Sequence, residues 1–133
     1  MKTITKEELH KVLEEHKLWL DSNSEEGAKA DLSYTILRNA NLVDADLRSA
    51  NLRGAKLSQA STQNIKGLKV YSIDNIGTFN GKVTYIPSLD RVYAGCWVGS
   101  LEAFLEKGLE MNEGNNSKLE EIRDAYCFFS KRK

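Results

Sequence analysis

Between residues 30 and 59 the same residue types return at every fifth position, and that spacing excludes both regular secondary structures. Ala, or Thr35 once, stands at 30, 35, 40, 45, 50 and 55, and Leu at 32, 37, 42, 47, 52 and 57. On a helix turning about 100° per residue, five residues advance about 500°, so each Leu would sit about 140° from the last and the apolar set would spiral round the axis. On a flat strand an odd spacing sends successive Leu side chains to opposite faces. The Leu set stays inside only when the chain turns a corner every five residues. Four corners of about 90° then close one coil in roughly twenty residues, a right-angled solenoid. Ala and Leu, two apart within each five, both point inward, with Leu32 stacked on Leu52 and Leu37 on Leu57.

The runs ADLSY, TILRN, ANLVD, ADLRS, ANLRG and AKLSQ resemble the pentapeptide repeat family, whose motif is A-(D/N)-L-x-x. The resemblance covers residues 30–59 and speaks to fold more than to function. It implies a right-handed quadrilateral β-helix with the central Leu pointing inward. Ile36 and Lys56 depart from it, standing where Asp or Asn is usual. Thr62 stands where a seventh Leu would fall, so the repeat is expected to fade across residues 60–64. Six repeats make one and a half coils, too few to stand alone, because such units bury their apolar faces only against neighbours and need caps.

An N-terminal cap is legible. Thr5 and Glu8 have the spacing of a capping box, and Leu9, Val12, Leu13, His16 and Leu20 follow at helical spacing with Trp19 beside them. This helix should end near residues 21–23 and lay its apolar stripe over the open end of the coil or over the C-terminal module. Beyond Gly67 the pattern changes to β-rich runs, LKVYSI, IGTF, KVTYI and RVYAGCW. Asn80-Gly81 signals a type I′ hairpin between the second and third, and residues 87–90 a turn before a strand over 91–97. Ser100 is the expected N-cap of a helix over 101–111 with Leu101, Phe104, Leu105 and Leu109 apolar. After the loop NEGNNS, Ser117 and Glu120 form a second capping box, opening a helix with Leu119, Ile122, Tyr126 and Phe129 on one face.

The expected fold class is mixed α/β: an N-terminal helix (1–24) capping a short pentapeptide-repeat solenoid (25–64), then an α+β C-terminal module (65–133) of a small antiparallel meander and two helices. The stretch RVYAGCWVGSLEAFLEKGL, residues 91–109, resembles the C-terminal part of small phage-encoded proteins, with a Gly-Cys-aromatic strand before a Gly-Ser/Thr-Leu-Glu helix start.

Charge removes several functions. The 133 residues carry 19 bases and 19 acids, so no electrostatic footprint for a nucleic-acid backbone or an anionic membrane exists. The opening MKTITKEELHKVLEEHK lacks a signal-type apolar core, and no stretch approaches a transmembrane length. A cytoplasmic protein is expected, in the host cytoplasm if phage-encoded. DNA mimicry by an acidic rod fits poorly: Asp31, Asp44 and Asp46 face four bases, and Arg38, Arg48 and Arg53 fall on three different faces.

Catalytic groups are sparse. His10 and His16, six apart, are turned about 240° from each other and cannot share a metal as an i,i+4 pair does. His16 lies on the apolar stripe and reads as a packing histidine. Cys96 alternates with Val92 and Ala94 and reads as core; Cys127, between Tyr126 and Phe128, reads as core or interface. Gly95 and Gly99 lack phosphate-loop spacing. No enzyme, catalytic residue, metal or cofactor is expected.

A binding module remains, with its site in the meander. On a strand over 91–97, Arg91, Tyr93, Gly95 and Trp97 share one face, suited to stacking a base and pairing a phosphate, with Tyr85 and Phe79 beside them. The competing reading is that Tyr93 and Trp97 pack beneath the C-terminal helices. The expected function is a non-catalytic binding protein, a phage or mobile-element anti-defence factor that sequesters a small nucleotide signal or blocks a host protein through this module. DNA mimicry and a purely structural oligomerisation module are the alternatives. The expected partners are a second copy of the chain, paired through residues 68–130, and a nucleotide-type ligand or host protein, with no direct nucleic-acid or membrane binding.

Overall fold

The corner that a five-residue period demands is made by one left-handed residue per repeat. In the computed structural model, which describes residues 1–79 and 81–133, Tyr34, Asn39, Asp44, Ser49, Gly54, Gln59 and Asn64 have φ between 51° and 71°. Ala40, Ala45, Ala50, Ala55 and Ala60 donate their N–H to the carbonyls of Leu37, Leu42, Leu47, Leu52 and Leu57, each at 3.0 Å. A hydrogen bond from the fourth residue to the first, with the third left-handed, is a type II turn. The Asp or Asn of the repeat serves the same corner. Asp31, Asn41, Asp46 and Asn51 each accept, through Oδ1, the N–H two residues on, at 3.1–3.2 Å. The turn chemistry is therefore written into the sequence.

The chain returns beside itself after twenty residues. Parallel bridges join Asp31 to Asn51, Ile36 to Lys56, Asn41 to Ser61 and Asp46 to Lys66. Leu32, Leu37, Leu42, Leu47, Leu52 and Leu57 are all buried, each side chain contributing about 1.5–3 kcal/mol relative to exposure. Extended strand is scarce here: among the described residues only Thr35–Ile36 (β2) is more than an isolated bridge. The fading of the residue pattern across 60–64 is not followed by the backbone. Gln59 and Asn64 keep the left-handed corner, and the Asp46–Lys66 bridge continues the pattern. Thr62 takes the Leu position half-buried, because the previous coil's hydrogen bonds hold the backbone in place without a Leu.

By contact the chain divides into two compact units, Met1–Leu68 and Lys69–Lys133. In the first, β1 (Lys2–Thr3) pairs in parallel with β2, an element with no signal in the sequence. Helix α1 (Lys6–Asp21) follows, with Thr5 and Glu8 forming the expected reciprocal capping box and Ser22 as C-cap. Its buried residues are Leu9 and His16.

The second unit is a four-stranded antiparallel sheet in chain order, β3 (Tyr71–Asp74), β4 (Lys82–Ile86), β5 (Arg91–Ala94) and β6 (Trp97–Gly99), with α2 (Leu101–Met111) and α3 (Asn116–Ser130). The register puts Tyr71, Ile73, Val83, Tyr85, Val92, Ala94 and Trp97 on one face, where they pack with Leu101, Phe104, Ile122, Ala125 and Phe129 of the helices. At Gly108 an added Cβ would lie 2.7 Å from Ile122 Cγ2, so glycine permits this approach of α2 to α3.

Four expectations are corrected. The run IGTF is not a strand; residues 75–79 are irregular, and the Asn80-Gly81 turn rests on a residue outside those described. Residues 91–97 are not one strand, because the chain reverses at Gly95 and Cys96, pairing Ala94 with Trp97, with Gly95 at φ 61°. Cys96 is thereby an exposed turn residue, and Cys127 is exposed on the outer side of α3. Helix α3 starts earlier than the Ser117 box. Asn115 is its N-cap, accepting from Lys118 N at 3.1 Å, since Asn caps as well as Ser and comes first. The Ser100 cap and the extent of α2 are as expected. Among the described residues no helix is long and apolar enough to cross a membrane.

Candidate functional site

The five residues expected to form a stacking face do not form one. Phe79 and Tyr85 are buried in the second unit's core, where Phe79 lies 5.6 Å from Phe104 and Tyr85 5.3 Å from Phe129 by ring centroid. Trp97 is packed against the same cluster, 6.4 Å from Phe104. Tyr93 is 1% exposed. It lies on the opposite face from Trp97, because the reversal at Gly95 flips the side-chain alternation. Arg91 alone is exposed, its Nη1 donating to Asp90 O at 3.0 Å. Trp97 thus packs with the helices as the competing reading had it, whereas Tyr93 is buried on the other face of the sheet, so that reading does not hold for Tyr93. The homodimer expected through residues 68–130 drew on an exposed aromatic face, and these rings are interior.

A concave site exists in the first unit instead. Because β1 runs alongside β2, the chain enters α1 directly above residues 36–41 of the first coil. A cavity of about 470 Å³ lies there, within the roughly 300–1,000 Å³ usual for ligand pockets. Leu9, Leu13, Ile36 and Leu37 supply apolar wall. Lys6, His10 and Arg38 are its basic residues, Thr5, Asn39 and Asn41 its neutral polar ones, and no acid lines it. The carboxylate of Glu8 is folded back onto Thr5 N at 3.1 Å. His10 Nε2 lies 2.9 Å from Glu14 Oε1, with both side chains largely exposed.

His16 fastens α1 over this arrangement. It has no exposed surface. Its Nδ1 accepts the N–H of Ala30 at 3.0 Å, which leaves Nε2 protonated and donating to Arg48 O at 2.8 Å. Its ring stacks on Trp19, centroids 5.7 Å apart. Both nitrogens are committed to backbone, so His16 is a structural clamp, as its place on the apolar stripe suggested.

Half of this site carried a signal in the sequence. Lys6, Leu9, His10 and Leu13 are three, four and seven apart and share one helical face. The other half, Ile36 and Arg38, could be set opposite that face only by β1, a two-residue pairing too short to read from composition. Among the described residues no group of three or more His, Cys, Asp or Glu is placed to hold a metal ion.

Residues 28–61 match the family model for pentapeptide repeats, in eight copies. No curated protein and no solved structure matches the chain.

Proposed function

We propose that this chain is a non-catalytic interaction module, in which the repeat region is a short right-handed quadrilateral β-helix that presents a binding surface to a partner protein. Bridges twenty residues apart, buried Leu columns and regular left-handed corners support that geometry. One observation carries the functional reading. Within each five, the first and third side chains are turned inward and the second is committed to the corner wherever it is Asp or Asn, so the architecture turns mainly the fourth and fifth positions toward the outside. Arg38, Val43, Arg48 and Arg53 are exposed at the fourth place, with Arg48 bonded to Asp46, while Ser33 and Ser58 are buried there.

A repeat that turns alanine and leucine inward and spends its Asp and Asn on corners suits binding better than catalysis. Of the two ligand classes considered, a partner protein is favoured over a nucleotide, because the rings that would stack a base are in the core. The narrower proposal, a phage or mobile-element factor that blocks a host protein in the cytoplasm, rests on the resemblance of residues 91–109. Photo-crosslinking tests the main reading. A benzophenone amino acid placed at Arg38 or at Val43 should capture the same partner from host extract, while one placed at Glu113 should not. Equal capture at all three positions, or at none, rejects a repeat-borne interface.

A further inference from the structure

We propose that the groove between α1 and residues 36–41 docks a short acidic segment of a partner protein, with one bulky apolar side chain against Leu9 and Ile36 and carboxylates beside Lys6 and Arg38. The inference rests on the reading of the first unit as an interaction module and adds to it the place and the chemistry of what is bound.

Three observations lead there. The first is electrostatic: the groove is lined by the cations Lys6 and Arg38, by His10, which is paired with Glu14 at 2.9 Å, and by no acid, in a chain whose net charge is zero. A cleft with walls of one sign concentrates ligands of the opposite sign. The second is the identity of residue 36. At the second place of the repeat, Asp31, Asn41, Asp46 and Asn51 bond the N–H two residues on, whereas Ile36 has no such oxygen and is 37% exposed in the groove wall. Folding favours Asp or Asn there, and a half-exposed isoleucine gives up a turn bond without being sealed in the core. An apolar contact with a bound side chain accounts for it. The third is size. The cavity of about 470 Å³ takes one large apolar side chain with its flanking backbone, and its lining sets Leu9, Leu13 and Ile36 beside Lys6 and Arg38.

The test uses the intact chain, labelled with ¹⁵N, and three blocked pentapeptides: Asp-Glu-Leu-Glu-Asp, the same with Lys at the four acidic places, and the same with Ser for Leu. The acidic Leu peptide should shift amides of residues 6–13 and 36–41 in a saturable and salt-sensitive way, and the other two should not. Ile36→Asn returns the position to the repeat pattern and should leave thermal stability equal or raised while weakening the peptide about tenfold, the scale of losing one apolar side-chain contact. Lys6→Glu, at an exposed place in the first helical turn where an acid is favourable, should weaken it while leaving the spectrum otherwise unchanged. Unaltered binding to Ile36→Asn, equal binding of the Lys peptide, or shifts elsewhere overturns the proposal. So does saturation of the same amides by decanoate with no response to the peptide, which assigns the groove to a small amphiphile. Crosslinked partner at Val43 alongside any of these failures leaves the interaction module standing and removes only this groove as its site.

Discussion

Replacing His16 by Leu tests how α1 is held to the coil. The imidazole is wholly buried and answers two backbone groups, the N–H of Ala30 at 3.0 Å and the carbonyl of Arg48 at 2.8 Å. Leucine fills much of the same volume and answers neither. A buried donor or acceptor left without a partner costs about 1–3 kcal/mol, so two of them cost about 2–6 kcal/mol, to which the loss of the Trp19 stack adds about 0.5–1.5 kcal/mol. His16→Asn separates the two bonds. Its Oδ1 occupies nearly the place of Nδ1 and keeps Ala30 paired, so Arg48 O and the lost ring volume are left to set its cost. Urea denaturation followed by far-ultraviolet circular dichroism gives the stability change, and amide hydrogen exchange gives its location. The Ala30 amide should exchange fast in His16→Leu and remain protected in His16→Asn. A Leu variant within about 0.5 kcal/mol of the parent, with Ala30 still protected, would show that the histidine is not the clamp and that α1 is held by its apolar contacts alone.

The register of the repeat is tested by Leu47→Asp, which puts an unpaired carboxylate at a buried position and should abolish folding at a cost of several kcal/mol, roughly 4 or more. Arg53→Asp, exposed on the outside, should cost less than about 1 kcal/mol; equal losses of melting temperature refute the inward assignment. The corner is tested by Gly54→Ala. At φ 71° the new Cβ would lie 2.5 Å from Tyr34 Cδ1, and the variant should lose about 2 kcal/mol or more by urea titration. Ser49→Gly, at φ 67°, should be neutral or up to about 1 kcal/mol stabilising, and two changes of the same sign would contradict left-handed corners. The Asp46 carboxyl is held below its ordinary value of 3.8, first by the side-chain hydrogen bonds from Arg48 and further by that residue's backbone N–H and charge. A folded value below the unfolded one contributes stability that is present above the unfolded value and lost as pH falls through the folded one. Arg48→Gln should therefore lower the urea midpoint near neutral pH and flatten its decline below about pH 4; parallel curves for the two proteins would remove the pair from the acid limb.

The sequence by itself determined the elements whose signal is local and repeated. The five-residue period excluded a helix and a flat strand from the sequence alone, and the structure sets left-handed corners at Asn39, Asp44, Gly54 and Asn64, residue types that accept positive φ at low cost. The caps at Thr5 and Ser100 were legible because the group satisfied lies three residues away. The apolar faces of the helices followed from their spacing alone.

Tertiary structure decided whatever depends on a partner distant in the chain. Residues 91–97 read as one strand because alternation does not register a two-residue reversal at Gly95 and Cys96, and that reversal sent Trp97 inward with Phe79 and Tyr85 while leaving Cys96 outside. Strand β1 is two residues long and exists only through its pairing with Thr35–Ile36. The groove is a consequence of that pairing, since it sets Lys6 and Leu9 opposite Ile36 and Arg38 from positions about thirty residues apart. A period is repeated many times within a few neighbouring residues, so the chain states it redundantly. A concave site is stated once, by contacts that no local pattern encodes.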